Sequence, residues 1–172
     1  MNYTKAQNIV FKAICNGNRL AKFQFDEDHM FVTPDDYVGF VFPIRSINFN
    51  LEKIQTCKEI SFEKVICPEN ELLMTDDLKR SKFSEKLYVR LKGDCKNVFV
   101  DKKLLECFQN PRFFQEKNEP KSPIMITESI SATKPNFPVG IVCPSVISGT
   151  DNYYTDNMEK GENGNERTDS GC

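Results

Sequence analysis

The chain is 172 residues long, 39% hydrophobic and 28% charged, with fourteen Phe, no Trp and a formal net charge of −2. That length suits one ordinary domain with a real core, and the near-neutral balance offers no bulk electrostatic case for coating nucleic acid. No apolar run approaches the roughly 18 residues of a membrane helix. Lys5 and Lys12 interrupt any secretory core near the start, so no membrane contact and a cytoplasmic location are expected.

The first element expected in chain order is a helix from about Thr4 to Cys15. Ala6, Ile9, Val10, Ala13 and Ile14 recur at helical spacing, Thr4 offers an N-cap, and Asn16-Gly17-Asn18 supplies a stop. Short alternating runs follow at Ala21–Phe25, Met30–Val32 and Tyr37–Phe42. They are separated by Asp26-Glu27-Asp28 and Pro34-Asp35-Asp36, a pattern of three antiparallel strands in a meander. Between Arg45 and Ser84 the pattern is weak. Ile60, Phe62 and Val65-Ile66 suggest a strand or two, and the charged stretch Asp76–Ser84 reads as a loop.

Alternation returns at Leu87, Val89 and Leu91, and Gly93-Asp94 turns the chain into Asn97–Val100. Asp101 is a good N-cap for a second short helix with Leu104, Leu105 and Phe108 inward, ended by Asn110-Pro111. Ile124–Thr127 and Val139–Cys143 read as the last strands. From Asp151 onward, six acids stand against Lys160 and Arg167 with few large apolar groups, which is the composition of a disordered acidic tail over 151–172. Residues 1–150 form the single expected domain.

Two segments echo each other: Val38-Gly39-Phe40-Val41-Phe42-Pro43 and Val139-Gly140-Ile141-Val142-Cys143-Pro144. Each closes a meander that follows an amphipathic helix. The expected fold class is therefore α+β: two helix-plus-antiparallel-meander repeats, about 3–50 and 85–147, both helices packed on one face of a curved sheet.

That arrangement resembles one lobe of a bacterial DNA sliding clamp, the DNA polymerase III beta-subunit family. Val98-Phe99-Val100-Asp101-Lys102-Lys103-Leu104-Leu105 is similar to the strand-into-helix passage of such a lobe. Lys121-Ser122-Pro123-Ile124-Met125-Ile126 and Gly140-Ile141-Val142-Cys143-Pro144 are similar to two of its strands. The likeness covers about fifty residues closely and the first half by pattern alone. A ring around duplex DNA needs several lobes where this chain has one, and the family's peptide groove lies between lobes, so no pocket residue carries over. What the resemblance implies is a set of phosphate-facing lysines, Lys5, Lys12, Lys102 and Lys103, whose plainer reading is a solvated helix face. Four lysines make only a weak, salt-sensitive contact.

Chemistry leaves few candidates. His29 is the sole histidine and sits beside a turn. The seven cysteines (15, 57, 67, 95, 107, 143 and 172) contain no CxxC, and Cys15, Cys107 and Cys143 lie on apolar faces, as small core side chains do. Neither phosphate-binding glycine motif occurs. Gln7-Asn8-Ile9-Val10-Phe11 loosely resembles a clamp-docking peptide, but its apolar residues belong to the helix stripe. No catalytic, metal or cofactor residues are assigned.

The expected function is a non-catalytic interaction protein acting in DNA metabolism, with a protein partner (a replication protein or nuclease) and weak nucleic-acid contact. Its alternative is a phage- or plasmid-encoded inhibitor of a host nuclease of the anti-CRISPR or anti-restriction type. There Glu69, Glu71, Asp76 and Asp77 would enter a cationic channel. The third reading is a metal-dependent nuclease using Asp35, Asp36 or Asp76, although acids in turns are favoured for backbone reasons alone.

Overall fold

The computed structural model of the chain describes residues 1–16, 21–48, 58–59, 68–95, 97–128 and 138–156. Helix α1 spans Tyr3–Cys15 and buries Ala6, Gln7 and Val10. Its N-cap is Asn2 rather than Thr4: the Asn2 side chain accepts from the Lys5 amide at 3.1 Å, and only a residue outside the first turn can do this. The expected meander follows as β1 (Lys22–Phe25), β2 (His29–Thr33) and β3 (Val38–Pro43), all antiparallel.

Its turns are made by aspartates. Asp26 accepts from the amides of Asp28 (2.9 Å) and His29 (2.6 Å), and Asp35 from those of Tyr37 (2.8 Å) and Val38 (3.1 Å). Each carboxylate thereby satisfies two amides that the reversal would leave unpaired. A 3₁₀ turn, Ile44–Ser46, leaves β3, and the Gln7 amide donates to the Ser46 carbonyl at 2.5 Å. Strand β4 (Lys58–Glu59) pairs parallel to β1. The strands expected around Ile60–Ile66 lie outside the described residues.

The largest departure from expectation is β5. It is one strand of twelve residues, Asn70–Ser81, running straight through the supposed loop at Asp76–Ser84. With β6 (Leu87–Lys92) it forms a hairpin, and its ladder slips between Met74 and Leu78, where β5 carries two more residues than β6. Asp76 and Asp77 therefore stand in a strand bulge rather than a turn. Strand β7 (Val98–Asp101) leads into helix α2, Lys102–Leu105, capped as expected by Asp101, which accepts from the Lys103 amide at 3.0 Å. Helix α2 is a single turn and ends at Leu105, short of Asn110-Pro111.

Four strands complete the fold: β8 (Pro111–Gln115), β9 (Ile124–Glu128), β10 (Pro138–Val142) and β11 (Ser145–Val146). A further strand, β12 (Tyr154–Asp156), pairs with β5 over Lys79–Ser81. The tail boundary drawn at Asp151 therefore moves. Tyr154 meets Tyr88 edge-on at 5.4 Å, and Asp156 pairs with Lys79, so these residues are held by tertiary contacts their composition does not reveal. Residues 157–172 lie outside the described set.

The protein is thus α+β, with two α-helices among the described residues and one large, mainly antiparallel sheet. Its order is β11-β7-β6-β5-β8-β9-β10-β3-β2-β1-β4, with β12 beside β5. Only Cys143 and Pro144 separate the end of β10 from the start of β11, although five strands lie between them in the path. Two residues span at most about 10 Å, so the sheet must curl until β11 comes back to β10. Inside the curl one core gathers Phe40, Phe42, Ile124 and Ile126 with Val98 and Leu91, and it receives Ala6 and Val10 from α1 and Leu105 from α2. No described helix is long and apolar enough to cross a membrane.

Candidate interaction surface

The start of α1 and the exit from α2 meet at the surface. The amide of Asn2 donates to the Cys107 carbonyl at 2.7 Å, joining the start of α1 to the exit from α2. Lys5 Nζ lies 3.0 Å from Glu106 Oε2, both half exposed. That hydrogen bond, then the charge of Lys5, and more weakly Lys102 and Lys103, hold the Glu106 carboxyl below the usual range. All four expected lysines are exposed on the helices. Lys5 is occupied by Glu106, whereas Lys12, Lys102 and Lys103 have no ion-pair partner among the described residues.

The four acids expected to face a cationic partner do not form one patch. Glu71 is gripped by Arg112 through two contacts of 2.7 and 2.8 Å, and this pairing lowers the carboxyl's pKa. Arg112 in turn lies over the Phe114 ring at 5.2 Å. Asp77 accepts from Arg90 Nη1 at 2.9 Å. A forked guanidinium neutralises a carboxylate more completely than water does. Two of the four acids are therefore spent, leaving Glu69 just before β5 and Asp76 in the bulge, both exposed.

The nuclease acids are separated by their duties. Asp35 caps a turn, Asp36 pairs with Lys22 at 3.4 Å, and Asp76 stands on another strand. His29 contacts Asp26 at 3.5 Å beside that residue's turn. Among the described residues no three His, Cys, Asp or Glu side chains converge as metal ligands.

What the fold does bring together is one member of each expected set. A cleft of about 800 Å³ opens between the bulge of β5 and helix α2. Met74, Asp76 and Val89 line its strand side, and Lys102, Leu105 and Phe108 its helical side. This volume lies within the range of ordinary ligand and peptide pockets. Reading 76–84 as a loop hid the cleft. The signal that could have found it is the hairpin: Met74 and Leu78 face Leu91 and Val89, in the clean alternation of β6, across a Lys82–Ser84 turn.

The cysteines divide by burial. Cys107 is buried, which pushes its thiol up to about 11. Cys143 is half buried and also raised, by burial first and then by Asp35 and Asp36. Cys15, expected on an apolar face, is exposed instead, at the last turn of α1. At pH 8 about one Cys107 in a thousand is thiolate, so iodoacetamide should label Cys15 in the native protein and leave Cys107 unmodified. Peptide mass mapping checks this, and native labelling of Cys107 would contradict its burial.

No family model, curated protein or solved structure matches the chain.

Proposed function

We propose that this chain is a non-catalytic interaction module of clamp-lobe-like architecture, working in DNA metabolism by binding a macromolecular partner. The observation that carries the reading is the seam between β3 and β10. Each helix is followed by a three-stranded antiparallel meander, β1-β2-β3 after α1 and β8-β9-β10 after α2. The two meanders meet along the echoed Val-Gly segments, with Gly39 opposite Ile141 and Gly140 opposite Phe40. Two like units joined antiparallel through their last strands are related by a twofold, which sets their helices side by side. The Lys5–Glu106 pair and the shared core agree with that arrangement.

In this reading the helical face touches duplex phosphates through Lys12, Lys102 and Lys103. Three neutralised phosphates give a salt slope near −2.7, so affinity for a duplex should fall about 40-fold between 50 and 200 mM salt. Changing Lys102 and Lys103 to alanine should flatten that slope by about two. Fluorescence anisotropy on a labelled duplex reads both values. Absence of binding at 50 mM salt would remove the DNA contact, and an unchanged slope in the double variant would place any contact elsewhere.

A further inference from the structure

On the edge of β5 turned away from β6, two strands pair in succession. Strand β8 pairs through Asn70–Leu72 and β12 through Lys79–Ser81. Between them, residues 73–78 have no described strand beside them on that edge. The β8 ladder ends at Leu72 opposite Phe113, and two residues further Pro111 lacks an amide hydrogen and Asn110 at φ 45° turns the chain, so β8 cannot extend the pairing along β5. A break of six residues is about 20 Å of strand. This stretch runs beside the cleft, the Asp77 amide donating to Thr75 Oγ1 at 3.2 Å within the bulge, and Leu73 and Met74 flank it at 64% and 59% exposure.

We propose that this break in β5 is a docking site for an extended peptide, which adds as a strand, buries an apolar side chain in the cleft and sets a Lys or Arg against Asp76. This goes beyond the DNA contact and does not depend on it. An extended polypeptide is the ligand that satisfies alternating amide and carbonyl groups over such a length. The cleft wall supplies Leu78, Val89, Leu105 and Phe108 for one apolar side chain. Asp76 is exposed and makes no ion pair among the described residues, so it selects for a cation. The same acid argues against a second copy of this chain as occupant. Two β5 edges paired antiparallel about the bulge would bring the Asp76 carboxylates of both copies together, and like charges guard strand edges against self-pairing.

The test pans a displayed library of random twelve-residue peptides against the full chain. Enrichment of sequences with an apolar residue followed two positions later by Lys or Arg is expected. For a synthesised winner, N-methylation of the alternate amides on one edge should cut affinity about tenfold or more, the equivalent of two backbone hydrogen bonds, while methylating the other edge should not. Amide exchange at 73–78 should slow on binding, and Asp76→Asn, at an exposed site, should weaken the peptide without shifting Tm. No enrichment, indifference to N-methylation on both edges, or protection confined to other segments would each overturn the proposal. So would concentration-dependent self-association that the peptide displaces, since that would make the occupant another copy.

Discussion

Replacing Phe40 with alanine is expected to destabilise the fold by about 3–5 kcal/mol, read as a lower urea midpoint at unchanged slope. Phe40 is fully buried on β3. Its ring stacks on Phe108 at 5.8 Å and 27°, and meets Phe42 at 5.9 Å. Phe108 follows α2 directly, so this one stack links the first meander to the exit of the second helix. Truncation forfeits the buried ring area and leaves a void that the curled sheet cannot close, because β2 and β10 hold β3 on both sides. Phe25→Ala is the control. That ring is 40% exposed at the end of β1, and its loss should cost about 1 kcal/mol or less. A Phe40→Ala cost no greater than that of Phe25→Ala would mean the two meanders are not locked through this ring.

How far the fold was legible depended on whether each element solved its own local problem. Helix α1 shows its stripe because only one side is buried. The β1–β3 meander is readable because Asp26 and Asp35 announce its turns by the hydrogen bonds they make. Asp101 announced α2 in the same way. Strand β5 was opaque for the opposite reason. Asp76, Asp77, Lys79 and Arg80 look like a solvated loop, and the bulge destroys the period of two that would betray a strand. Strand β8 opens on Pro111 and then buries Phe113, Phe114 and Gln115 in succession, so it too lacks alternation. Gln115 is satisfied by the carbonyls of Pro120 and Ser122, partners in a loop that no local pattern foretells. Strand β12 exists through Tyr88 and Lys79, far away in sequence. The candidate site inherits these limits. Its lysines lie on readable helices, whereas the cleft needed β5, and the loss of Glu71 and Asp77 to arginines is a purely tertiary fact.

Gly140→Ala is expected to cost about 2–3 kcal/mol, more than Gly39→Ala at about 1 kcal/mol, although the two glycines occupy matching places in the echoed segments. A Cβ on Gly140 would stand 2.7 Å from the Gly39 carbonyl oxygen and 2.7 Å from the Phe108 ring. The first of these is backbone of the neighbouring strand and cannot swing aside. The second is the ring already wedged against Phe40. A methyl group therefore has to push β3 from β10 or unstack the Phe40–Phe108 pair, and either change opens the seam on which the twofold reading depends. A Cβ on Gly39 meets instead the Phe31 ring tip at 2.8 Å and Ile141 Cγ1 at 2.9 Å, both of them side-chain atoms of half-buried residues rather than backbone. Urea unfolding of the two variants separates backbone from side-chain resistance. Amide exchange gives the location: Gly140→Ala should accelerate exchange at 38–42 and 139–142 while leaving the β5–β6 hairpin protected. Equal costs for the two substitutions, or loosening that spreads evenly over the sheet, would mean that the seam is not where the halves are held together.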